Sequence, residues 1–123
     1  MEQIIEAIKA GGLVARWMKR TNRLFLSARQ QDWNNIISSR ETKMAYFNAV
    51  GVAKHYLDQE LKKRGIPADR VRTHTRTDPR FASPTGIMIH LNEFVKLGET
   101  KFTEELMRKI REANIEVEEH PEY

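Results

Sequence analysis

At 123 residues, with 40% hydrophobic and 31% charged side chains, the chain has the size and composition of one globular domain and lies far from the disordered class. It has no cysteine, which excludes disulfides and thiolate metal sites and favours an intracellular home. The net charge of +4 is unevenly spread: residues 1–92 carry 16 Lys/Arg against 8 Asp/Glu, and residues 93–123 carry 5 against 9, so a basic body that suits a polyanionic partner ends in an acidic segment.

The opening residues, with Glu2 and Glu6 and no basic region, do not read as a secretory signal. No run approaches the ~18 apolar residues of a membrane span, so a cytoplasmic protein without membrane contact is expected. Ile4, Ile5 and Ile8 share one helical face, and Gly11-Gly12 breaks that helix. Residues 13–20 can then resume a helix with Leu13 and Trp17 inward. On that reading Arg16, Lys19, Arg20 and Arg23 stand at i, i+3, i+4 and i+7 and form one basic stripe. The short apolar run Leu24–Ala28 fits a strand or a helix equally. Asp32 can cap a turn that carries Trp33, Ile36 and Ile37.

The strongest element follows. From Arg40 to Arg64, Met44, Phe47, Val50, Leu57 and Leu61 recur at helical spacing, and Tyr46, Ala49 and Tyr56 widen the stripe. Ser38 or Ser39 can cap this helix, Gly65 suits the position after its end, and Pro67 prevents its resumption. Its aromatic surface exceeds what a small core needs, which leaves packing against a second copy as an option.

The period then falls to two. Alternation over residues 70–78 puts Arg72, His74 and Arg76 on one side of a strand and Val71, Thr73, Thr75 and Thr77 on the other. Residues 86–95 alternate too, with Ile87, Ile89 and Leu91 opposite Met88, His90 and Asn92. The connection between them, Asp78 to Gly86 with Pro79 and Pro84, is long enough to carry function. Thr100 or Thr103 caps a helix that runs through Ala113 with Phe102, Leu106, Met107 and Ile110 inward; Asn114 stops it, and Ile115–Glu119 form a last strand. The expectation is a single α+β domain over 1–123. It has a helical part over 1–39, a long helix over 40–65, and a small sheet over 70–119 in the order strand, strand, helix, strand, with helices on one face and the other face partly open.

Three functions fit these residues. The first is non-enzymatic binding of nucleic acid, DNA or RNA, through its phosphates. Arg70, Arg72, Arg76 and Arg80, with His74 and His90 as added donors, offer guanidinium forks that match phosphate oxygens, and Arg16, Lys19, Arg20 and Arg23 form a secondary stripe. A solvated sheet face explains the same residues without a ligand, and Lys62, Lys63 and Arg64 complement the end of the long helix. The second function is an oligomeric assembly or adaptor protein in which the basic body and the acidic end make protein contacts, a homo-oligomer among the options. The third is a phosphodiesterase or nuclease using His74 and His90. Two-histidine phosphoesterases need a hydroxyl two positions after each histidine, and here those positions hold Arg76 and Asn92. His74, His90 and Asp78 are metal-ligand types, but no zincin, P-loop, nucleophile-elbow or dinucleotide motif is present. No cofactor, metal or catalytic residue is assigned.

Overall fold

The computed structural model describes residues 1–77 and 85–123. Its elements in chain order are α1 (Glu2–Ala10), β1 (Val14–Met18), β2 (Arg23–Ser27), a 3-10 turn (Gln30–Asp32), α2 (Trp33–Ile36), α3 (Arg40–Lys63), β3 (Thr73–Thr77), β4 (Thr85–His90), α4 (Leu91–Leu97), α5 (Thr100–Glu112) and β5 (Val117–His120). The α+β class and the early long helix are as the sequence implies. The strands form one five-stranded sheet in the order β3-β4-β2-β1-β5. Only the β1–β5 pair is parallel.

Two segments depart from the periodicity reading. Residues 14–18 are a strand rather than a helix, so the part over 1–39 is not wholly helical: it supplies two strands from the middle of the sheet. The reason is burial on both faces. Ala15 joins the helix-side core, while Val14, Arg16 and Met18 are buried on the opposite side, and a strand with no solvent face loses its polar alternation. The chain reverses at Asn22, which takes a left-handed φ of 50°. That hairpin dismantles the i, i+3, i+4, i+7 stripe of Arg16, Lys19, Arg20 and Arg23. In the second segment, the alternation that starts at Gly86 ends at His90, and residues 91–97 turn into α4. Two helices, not one, therefore connect β4 to β5.

One face of the sheet carries the main core. Ala15, Leu24, Leu26, Ile87 and Ile89 pack with Ile4 and Ile8 of α1, Val50 and Leu57 of α3, Phe94 of α4, and Phe102 and Leu106 of α5. Tyr46 and the half-buried Phe47 and Tyr56 also join this core, which takes up part of the aromatic surface of α3. The Tyr46 hydroxyl accepts from the Ala28 amide at 3.0 Å and donates to the Thr85 carbonyl, tying α3 to the end of β2 and the start of β4. The opposite face is not open at its centre, because Met18, Phe25 and Met88 form a second, fully buried cluster.

The ends of α3 follow from local chemistry. The Ser39 hydroxyl accepts from the Thr42 amide at 3.2 Å. Gly65, at φ 70°, lets its own amide reach the Lys62 carbonyl and the Ile66 amide reach the Leu61 carbonyl. Asn114, at φ 60°, closes α5 in the same way with the Arg111 and Ile110 carbonyls. The capping expected from Thr100 or Thr103 is not observed: the residue before α5 is Glu99, and the Thr103 hydroxyl turns back to the Thr100 carbonyl at 2.9 Å.

Candidate functional site

The cations expected to form one surface fall into two regions. In the first, β5 returns the acidic end of the chain to the edge of β1. Arg16, only 4% exposed, donates to Glu118 at 3.2 Å, to the Ser27 hydroxyl at 3.2 Å and to the Ala28 carbonyl at 3.4 Å. Lys19 lies 3.8 Å from Glu119 and over the Trp17 ring, and Arg20 donates to the Glu122 carbonyl. Arg29 and Glu116 meet at 2.7 Å, and Arg111 also reaches Glu119. The basic body and the acidic end thus meet inside one molecule, and Arg16 serves the sheet.

The second region lies at the other edge, around β3. Register puts His74 beside Met88 and Arg76 beside Gly86, so both share the sheet face of His90 and Arg23. The His74 and His90 rings stack with centroids 5.1 Å apart and 23° between planes. Arg72 is exposed; its backbone amide and its Nε both donate to the Glu93 carboxylate at 2.5 Å. Burial would raise Glu93, but these bonds and the guanidinium charge hold it below the usual carboxylate range. His90 is 5% exposed, and among the described residues its Nε2 has no hydrogen-bond partner. Burial first, then Arg72 and Arg23, push its pKa down to about 4. His74 is lowered by burial and then by Arg76, Arg72, Lys54 and Arg23. Arg70 is exposed in the turn before β3, and Arg80 lies outside the described residues, as does most of the connection expected between Asp78 and Gly86.

Beside this edge runs a trench of about 690 Å³ between β3 and the C-terminal half of α3. Lys54, Asp58, Leu61 and Lys62 line it from a single face of α3, where positions four and three or four apart lie side by side. Thr73 and His74 line it from the strand, and Ile66, Ala68, Val71 and Arg72 join them from the segment that leads into it. Consecutive strand residues take part because the trench flanks the edge of β3 rather than either of its faces. Asp58 binds Lys54 at 2.5 Å and accepts from the Thr73 hydroxyl at 3.3 Å.

That edge is open. The Arg72 carbonyl accepts from the His90 amide at 3.1 Å, which turns the backbone groups of Arg72, His74 and Arg76 toward β4. In an antiparallel ladder the alternate residues face away. Thr73 and Thr75 therefore point their N–H and C=O groups outward, and among the described residues neither group has a backbone partner there.

The sequence reading found Arg72 and His74 but missed Lys54, Asp58, Leu61, Lys62, Ile66 and Ala68. A faint signal existed: Leu61 closes the apolar stripe of α3 while Lys54, Asp58 and Lys62 flank it, just before the Gly65–Ala68 turn brings the chain back alongside. Among the described residues no group of three or more His, Asp or Glu is placed to hold a metal ion, and no helix is long and apolar enough to cross a membrane. No protein-family model, curated protein or solved structure matches the chain.

Proposed function

We propose that the chain is a non-enzymatic adaptor that binds a segment of a partner polypeptide in the trench between α3 and β3. The observation that carries this reading is the pairing of an apolar trench with an unpaired strand edge at its wall. Such an edge is a template for another chain, and monomeric proteins ordinarily cover or bend it. A contact between the basic body and the acidic end of two copies has less support, because those charges are paired within one chain. The test is selection of binders from a random peptide library displayed on phage. The reading expects peptides that bind the protein and are lost on Ala68→Trp, an exposed position where the indole would fill the trench. Selection that yields none, or only binders indifferent to A68W, contradicts it.

Nucleic acid remains the second reading, narrowed to the β3 edge. It is favoured by one observation: the charged groups that act most on His74 are cations, Arg76 first and then Arg72, Lys54 and Arg23. Its mark is affinity for an oligonucleotide that falls steeply with salt and falls further on Arg76→Gln; absence of binding at low salt removes it. Phosphodiester cleavage has less support. The two imidazoles lie face to face, whereas a phosphoryl group held between a general acid and a general base needs their nitrogen edges. A histidine with a pKa of about 4 is also neutral, not an acid, at pH 7.

A further inference from the structure

We infer that the segment taken by the trench is an extended, acidic strand that hydrogen-bonds to the outer edge of β3; the inference rests on the adaptor reading. Thr73 and Thr75 offer donors and acceptors in alternation along that edge. A polypeptide strand supplies the complementary alternation. A helix has already used its own backbone groups, and seating one here would dehydrate those of Thr73 and Thr75 without replacing their water partners, at about 1–3 kcal/mol for each buried group. A phosphate backbone presents acceptors only and would leave both threonine carbonyls unanswered. The edge geometry therefore selects peptide over nucleic acid and strand over helix.

Charge sets the composition of the strand. Lys54, Lys62 and Arg72 line the trench, with Asp58 the one carboxylate among its described lining residues; Lys54 pairs with Asp58 and Arg72 with Glu93, which leaves Lys62 as the cation that an incoming carboxylate meets first. Leu61, Ile66 and Val71, all buried, form its apolar wall. A strand turns successive side chains to opposite sides, so an incoming segment that alternates apolar and acidic residues can set the first against this wall and the second toward the cations. A second copy of β3 fits poorly. Its Arg72, His74 and Arg76 would fall across from their own counterparts, and like charges opposite one another in a ladder are destabilising.

The test uses a fluorescein-labelled peptide of about ten residues alternating Val and Glu, a match for one exposed strand edge. Its controls are the Val/Lys equivalent and a Val/Glu peptide N-methylated at alternate residues, which cannot complete the ladder. Anisotropy titration is expected to show the acidic peptide binding at least about tenfold more tightly than the basic one. That preference should shrink on Lys62→Glu, and binding should be lost on Ala68→Trp and on N-methylation. Equal affinity for the acidic and basic peptides, undiminished binding of the N-methylated peptide, or no binding of the acidic peptide up to about 1 mM overturns the inference. Should the phage library still yield peptides that A68W excludes, the adaptor reading survives and only the acidic-strand assignment falls.

Discussion

His90 joins the chemistry of the β3 edge to the stability of the fold. Four groups act on it from three elements and the turn beside them: Arg72, which precedes β3, His74 of β3, Arg23 of β2 and Glu93 of α4. Burial and the two arginines outweigh the single carboxylate, so the folded protein holds the ring neutral down to about pH 4. The unfolded chain protonates it near its ordinary value of about 6.5. The unfolded state therefore binds the extra proton between those limits. The stabilisation is intact above pH 6.5 and is lost as pH falls toward 4, to a total on the order of 2–3 kcal/mol. Glu93, held below its usual range, begins to lose its contribution as pH falls through the ordinary carboxylate range, where the His90 step ends. Urea denaturation at a series of pH values should show a smaller upper step in His90→Gln than in the wild type, the remainder belonging to His74, which burial and its neighbouring cations also lower. Parallel pH profiles for the two proteins would contradict this placement of His90.

Glycines in two elements make opposite predictions. Gly51 lies in the middle of α3 on its exposed side, and a Cβ added there meets nothing within 4 Å. Gly51→Ala should therefore stabilise the protein by about 0.5–1 kcal/mol through helix propensity alone. Gly86 stands where β4 meets β2, and a Cβ there would lie 2.3 Å from the Leu26 carbonyl oxygen and 2.7 Å from Ser27 Cβ. Gly86→Ala must push the two strands apart and should cost about 2 kcal/mol or more. Thermal melts of the two variants check both signs. If Gly51→Ala proves destabilising, the outer face of α3 is covered by something else. The same elements show what a sequence can and cannot reveal. α3 was legible because it is long, one-sided and punctuated by Ser39 and Gly65, all of them local signals. β3 and β4 were legible by alternation up to His90. β1 was not, because a central strand buried on both faces has no polar period, and its Arg16 looks solvated until Glu118, about a hundred positions later, is brought beside it. The trench was illegible for a related reason: it has two walls, and no local pattern states that α3 will lie against β3.

At the scale of the whole molecule, the chain folds its charge asymmetry inward at one edge of the sheet and does so only in part at the other, where Glu93 holds Arg72. β5 runs parallel to β1 and sets Glu116, Glu118 and Glu119 against Arg29, Arg16 and Lys19. The exposed pairs Lys19–Glu119 and Arg29–Glu116 contribute little each, so their main effect is to remove that edge as a polyanion surface. Among the described residues the β3 edge receives no such strand. It keeps Arg72, His74 and Arg76, the outward backbone of Thr73 and Thr75, and the trench beside them. An unpaired strand edge with its own apolar trench is a liability in isolation and a binding device in company. The adaptor account therefore depends on that edge being completed by another chain. Amide hydrogen exchange at Thr73 and Thr75, measured by NMR with and without a saturating trench-binding peptide, tests this most directly. The account predicts fast exchange at both amides in the free protein and at least about tenfold slower exchange in the complex, with the amides of His74 and Arg76 already protected by β4. Unchanged exchange at Thr73 and Thr75 in the saturated complex would contradict it.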